Sequence, residues 1–112
     1  METYYDPADL ANFSREGVGS AATDLWDKYM NYYGSVFADG ALTAREKSLI
    51  ALAVAASVQC PYCIDAYTNG CLEKGCDADE ITEALHVANA IRGGAALAHG
   101  VQAHKIIEDT EF

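Results

Sequence analysis

The sequence predicts a single all-α domain, a bundle of about five to six helices, and three observations carry that prediction. Apolar residues recur at three- and four-residue spacing over most of the chain. Thr43-Ala44-Arg45-Glu46 and Asp77-Ala78-Asp79-Glu80 each place a capping side chain three residues before a glutamate, the signature of a helix start. No alternating, β-branched run bounded by turn residues competes for a strand. With 112 residues, 51% of them hydrophobic, the chain reads as one domain. A domain of that size can bury roughly two-thirds of its unfolded surface.

Taken in order, residues 1–20 read as a variable N-terminal extension. Asp6-Pro7 and Gly17-Val18-Gly19-Ser20 are turn material around a short helix at Ala8 to Arg15. From Ala21 a helix carries Leu25, Tyr29, Tyr32, Tyr33, Val36 and Phe37 on one face, widened by Trp26 and Met30, and ends before Asp39-Gly40. Its aromatic stripe is expected to be core and subunit interface, because amphipathic helices bury such stripes; a ligand pocket is the alternative.

Thr43 opens the next helix, which runs to about Val58. It is apolar nearly all round after Lys47 and is expected to be the central buried helix. Glu46 is explained by its capping role rather than as a catalytic carboxylate. A further helix runs from Pro61 to about Lys74 and is ended by Gly75. Asp77 caps a helix carrying Ile81, Leu85, Ala88 and Ile91, with His86 beside them. That helix is expected to break at Gly93-Gly94, leaving a last one from Ala95 to Ile107 and a fraying acidic end, Glu108 to Glu111.

The formal net charge of −10 argues against nucleic acid and anionic membranes, whose phosphates repel such a surface. The uncharged run Leu49 to Val58 is far too short to span a bilayer. The N-terminus has neither a basic start nor an apolar segment, so a cytoplasmic location is the default expectation.

The chemistry concentrates at Cys60-Pro61-Tyr62-Cys63. Two cysteines at this spacing either close a disulfide ring or hold two metal bonds. Proline suits the first position of a helix, which makes Cys60 the N-cap and puts Cys63 one turn on. Free N–H groups and the positive dipole end stabilise a thiolate there, so redox chemistry is the leading reading. A thioredoxin-like context is excluded, since that pair follows a strand. Cys71 and Cys76 do not complete a metal site, because Cys60 and Cys71 lie about 16 Å apart along one helix at 1.5 Å per residue. Neither a metal nor a cofactor is expected. Cys71 reads as a small packed hydrophobe and Cys76 as a surface thiol.

Three segments together resemble the carboxymuconolactone decarboxylase superfamily. They are Lys47-Ser48-Leu49-Ile50-Ala51-Leu52-Ala53-Val54-Ala55-Ala56, Cys60-Pro61-Tyr62-Cys63-Ile64-Asp65-Ala66 and Ala84-Leu85-His86-Val87-Ala88-Asn89-Ala90-Ile91-Arg92-Gly93-Gly94. The redox branch, alkylhydroperoxidase D-like proteins, is the nearer match, and the resemblance covers about Phe37 to Ala103. The ending Ile64-Asp65-Ala66-Tyr67-Thr68 is further similar to a peroxidase-like subgroup associated with arsenosugar biosynthesis. The resemblance implies an all-α subunit assembling into trimers or hexamers, and a cysteine pair that reduces a peroxide and becomes a disulfide.

The family's redox branch carries a glutamate and a histidine where this chain has Ser48 and Tyr67. Tyr67 is then the candidate hydrogen-bond donor and His86 the candidate base, since imidazole titrates near neutrality. His99 and His104 are weaker candidates. Arg92 pairs with a carboxylate, keeps a cysteine ionised or faces solvent. The expected activity is a thiol-dependent, peroxiredoxin-type peroxidase or disulfide reductase served by an external dithiol. Helix-dipole physics favours Cys60 as the attacking sulfur, whereas the resemblance assigns that role to Cys63. The alternative is a non-enzymatic binding or redox-sensing oligomer, with trivalent arsenic capture by soft thiolates as one version.

Overall fold

Most helix starts are set by side chains that accept from free N–H groups, and the helix ends by backbone N–H groups that donate to the last carbonyls. The structure is a computed structural model and describes residues 4–110; Met1–Thr3, read for the absence of a leader, and the acidic Glu111 lie outside the described residues. Its elements are a 3-10 helix at Pro7–Asn12, then α1 (Thr23–Phe37), α2 (Ala44–Val58), α3 (Pro61–Glu73) and α4 (Ala78–Glu108), with no strand among the described residues.

The expected short helix at Ala8 to Arg15 is thus a 3-10 turn, capped by Asp6, whose carboxylate accepts from the Ala8 N–H. Between it and α1 the chain turns at Gly19, directly against Trp26: a β-carbon at residue 19 would come within 2.7 Å of the indole. Phe13 packs edge-on against the same ring, with centroids 4.9 Å apart.

Both capping boxes form. Thr43 accepts from the Glu46 N–H while Glu46 reaches back to the Thr43 N–H, and Asp77 and Glu80 do the same for α4. A Schellman motif ends α3: the Cys76 N–H donates to the Cys71 carbonyl and the Gly75 N–H to that of Leu72, with Gly75 at φ 83°. Such motifs bring together the side chains at these two flanking positions. Cys76 is accordingly only 4% exposed, packed with Cys71 and Leu52, and is not the surface thiol expected of it. Cys71 is fully buried, as expected.

The anticipated break at Gly93-Gly94 is absent, and α4 runs unbroken for 31 residues. Each glycine costs only about 1 kcal/mol against alanine in a helix. No proline interrupts the segment, and alanines surround the pair. Propagation therefore outweighs the local penalty.

The α2 helix lies between α3 and α4, which both pack extensively against it, while α1 and the 3-10 helix touch the bundle more lightly. It is central as expected, yet not buried all round. Leu52 and Ala55 face the core, whereas Ile50, Val54 and Val58 are 49%, 54% and 67% exposed. Among the described residues no helix is long and apolar enough to cross a membrane.

Candidate functional site

The link between α2 and α3 is two residues long. Gln59 takes a left-handed conformation at φ 58° to close α2, and Cys60 is extended at φ −102°, ψ 101°. Pro61 then starts α3, and the Cys63 N–H donates to Cys60 Sγ at 3.3 Å, so a sulfur fills the N-cap role usually taken by oxygen. Cys60 and Cys63 are joined as a disulfide, with Cα atoms 5.2 Å apart.

On one side of this pair, α1, α2 and α3 enclose an open groove of about 500 Å³. Tyr29, Tyr32, Tyr33, Val36 and Phe37 of α1 form one wall, and Ile50, Val54 and Val58 of α2 form the other. Cys63 and Tyr67 line it from α3; Cys60 does not. The aromatic stripe therefore belongs to a groove, with Tyr29 and Tyr32 half-exposed or more, rather than to a sealed core.

Tyr67 is fixed from two directions. Its hydroxyl hydrogen-bonds that of Tyr33, and its ring stacks on Phe37 at 5.7 Å with planes 13° apart. Burial, reinforced by the nearby Tyr29 phenol, pushes its pKa above the ordinary tyrosine value, so it remains an O–H donor.

The other expected participants stand elsewhere. His86 is solvent-exposed on α4 and does not line the groove. It lies about 200° around the helix from buried Ala88, which faces α2. His99 is exposed and bonds the Ala95 carbonyl through Nδ1, and His104 is exposed. Ser48 is buried, its hydroxyl donating to the Ala44 carbonyl at 3.0 Å, and is not part of the groove lining. The groove wall accordingly contains no imidazole and no carboxylate. Its one lysine, Lys47, donates to the Ala38 carbonyl at 2.6 Å. Glu46 is engaged in its cap, and Thr43's backbone and side-chain hydrogen bonds hold its pKa below the ordinary carboxylate value.

Two features escaped the sequence reading. The N-terminal extension straps the outside of the cysteine turn: the Tyr5 hydroxyl donates to Asp65 at 2.5 Å, and its ring meets Tyr62 edge-on at 5.2 Å. The bond to Asp65 pushes the Tyr5 pKa up to about 12. Arg92, left open among three roles, donates to the Ser57 carbonyl in the last turn of α2, just ahead of Cys60. No local pattern signals it, because the contact spans 35 residues and joins two different helices.

The chain is all-helical among the described residues, with a bonded cysteine pair at a helix start beside an aromatic groove, and the comparisons give its family. The model of the carboxymuconolactone decarboxylase family matches residues 23–105, and the chain belongs to that family, which includes alkylhydroperoxidase-like members. It is 40% identical over 91 residues to a Paracoccus denitrificans protein named "Uncharacterized protein 4 in cox locus", covering 81% of this chain and 82% of that one. It is also similar to the crystal structure of a protein from Methanobacterium thermoautotrophicum, at 31% identity and a TM-score of 0.72, over 75% of this chain and 94% of the other. Neither relative's name extends the likeness to the arsenosugar-associated subgroup.

Proposed function

We propose that the chain is a thiol-dependent peroxidase working through Cys63, with Cys60 as its resolving partner. The observation that carries this reading is that Cys63, bonded to Cys60, lines the same groove as Tyr67, one turn further along α3. In the reduced protein the Cys63 thiolate attacks a hydroperoxide oxygen and the O–O bond breaks. Thiolate, hydroperoxide and one proton give a sulfenic acid and an alcohol. Tyr67 donates a hydrogen bond to the departing oxygen. The Cys60 thiol then condenses with the sulfenic acid, releasing water and forming the disulfide.

An external dithiol closes the cycle by attacking Cys63, the sulfur that faces the groove. Cys60 is the better leaving group, because the Cys63 N–H and the helix N-terminus stabilise its thiolate. The two halves of the reaction thus use the same sulfur, and the dipole argument for Cys60 and the family role of Cys63 cease to conflict.

The groove's lack of imidazole and carboxylate favours a second reading, a non-enzymatic binder of an apolar ligand with the pair as redox sensor. Hydroperoxide consumption with a small dithiol separates them. Wild type is expected to turn over, Cys63→Ser to be inactive, and Cys60→Ser to stop after one equivalent with a trappable sulfenic acid. Consumption by wild type no faster than by the dithiol alone would leave the binding reading in place.

A further inference from the structure

Tyr33 takes no part in the reaction as written above, yet the Tyr67 hydroxyl is bonded to it. It lies on α1 in line with Trp26, Met30 and Phe37, at successive helical spacings, and all four are part-buried. Tyr29 and Tyr32, beside that stripe, are 50% and 67% exposed. The ring of Tyr33 is held by Phe37, with centroids 4.7 Å apart, and by Tyr29 at 6.1 Å. Phe37 is also the ring on which Tyr67 stacks. Phenylalanine at position 33 would meet the same rings. Packing therefore accounts for an aromatic residue there and leaves its hydroxyl unexplained.

Proton counting gives that hydroxyl a role. Each phenol has one proton to donate and an oxygen that accepts. When two phenols bond, one proton is spent between them and the other is left for a third group. If Tyr67 donates to Tyr33, Tyr67 has nothing to offer an oxygen in the groove. If Tyr33 donates, the Tyr67 proton is free, and an O–H whose oxygen already accepts is polarised into a better donor. The groove lining offers few substitutes. Its other titratable groups are Tyr29, Tyr32, Lys47 and Cys63 itself. Lys47 is engaged with the Ala38 carbonyl, and the two tyrosines are the more exposed members of the α1 wall.

We propose that Tyr33 is a positioning residue for the chemistry at Cys63: it donates to the Tyr67 oxygen and so leaves the Tyr67 proton for the oxygen that departs. The proposal rests on the peroxidase reading above and adds the residue that sets the sense of its donor. As the O–O bond breaks, the Tyr67 proton passes to the departing oxygen and the Tyr33 proton passes to Tyr67. Tyr33 then regains a proton from solvent through the open side of the groove. Thiolate, hydroperoxide and one proton again give sulfenic acid and alcohol, so the balance is unchanged. The inner transfer runs between two phenols and has little thermodynamic cost of its own.

The test uses the full chain, reduced, as wild type, Tyr33→Phe, Tyr67→Phe and the double variant. Oxidation of Cys63 by tert-butyl hydroperoxide is followed by rapid quenching, alkylation and peptide mass spectrometry. Tyr33→Phe is expected to slow it about threefold to tenfold, the value of one net hydrogen bond. In the Tyr67→Phe background the same change is expected to have no effect, because the oxygen that Tyr33 donates to is gone. Alkylation of Cys63 by iodoacetamide serves as the control, since iodide leaves without a proton. Its rate is expected to be the same in Tyr33→Phe as in wild type, which a misfolded or displaced site would not allow. Three results would each overturn the proposal: a Tyr33→Phe oxidation rate equal to wild type, equal slowing in both backgrounds, or equal slowing of alkylation and oxidation. Wild type that reacts no faster than a free thiol would remove the peroxidase reading and this role with it. Fast wild type matched by Tyr33→Phe would remove this role alone.

Discussion

Cys63 and Tyr67 stand one turn apart on α3 and line the same groove, the sulfur bonded to Cys60 and the phenol held by Tyr33 and Phe37. The position of that hydroxyl is fixed by two other side chains before any reaction at Cys63 begins. Orientation of this kind is what lets one hydrogen bond contribute to a rate.

Tyr67→Phe is expected to slow oxidation of Cys63 about tenfold to a hundredfold, the value of one hydrogen bond to a developing charge, roughly 1.5–3 kcal/mol. The ring, its stacking on Phe37 and the helix remain. Stopped-flow oxidation by a hydroperoxide reads the effect, and an unchanged rate constant would take Tyr67 out of the mechanism. His86→Ala, outside the groove lining, is expected to leave that rate unchanged.

The four cysteines should divide by environment. In the reduced native protein Cys60 and Cys63 are expected to react quickly with a thiol reagent. Cys71 and Cys76 are expected to react only as the protein unfolds, since both are buried and burial pushes the Cys71 thiol pKa up. Mass spectrometry of labelled protein counts the two classes; four fast thiols would contradict the packed clasp at the end of α3.

Glycines 19 and 34 give opposite expectations. Gly19→Ala drives a methyl group into Trp26, and overpacking of that kind costs about 1–3 kcal/mol. Gly34→Ala adds a methyl group in open space within α1 and is expected to stabilise by about 0.5–1 kcal/mol. Urea midpoints measured side by side read the two effects, and a Gly19→Ala midpoint equal to wild type would contradict the close approach to the indole.

Acid and alkali should loosen different joints. The Arg45 guanidinium, 2.6 Å from Glu80, and then the cap at Asp77, hold the Glu80 carboxyl below its ordinary 4.5. That stabilisation is complete above pH 4.5 and is lost as pH falls through the lower folded value, so Glu80→Gln is expected to flatten the acid limb of the stability curve. Tyr5 is shifted the other way, from 10.0 to about 12. Its contribution is complete below pH 10 and disappears as pH rises through about 12. Phenolate absorbance should show a late-titrating tyrosine that Tyr5→Phe removes.

Much of this architecture was legible in the chain because helix ends are local events. Thr43, Asp77, Pro61 and Gly75 mark their boundaries through hydrogen bonds within a few residues, and each lies where its pattern places it. The misreadings concern non-local competition. Gly93-Gly94 signals a stop only if the neighbouring alanines do not carry the helix through, and they do. Cys76 looks exposed beside Lys74 and Asp77 until the Schellman geometry folds it back onto Cys71. Tyr5 contacts Asp65 across 60 residues, a distance that no periodicity encodes. His86 attracted attention by residue type, but its angular position relative to buried Ala88, rather than its chemistry, leaves it exposed on α4.

The second half of α4 also bears on how the chain responds to ionic strength. Residues 93–107 hold no carboxylate although the chain carries −10, so its negative charge lies on other parts of its surface. Salt screens the repulsion between two such chains over a Debye length of about 10 Å at 0.1 M, while an apolar contact offers it no ion pairs to weaken. Any association of copies through this stretch should therefore tighten as salt is added, the reverse of an interface held by charge.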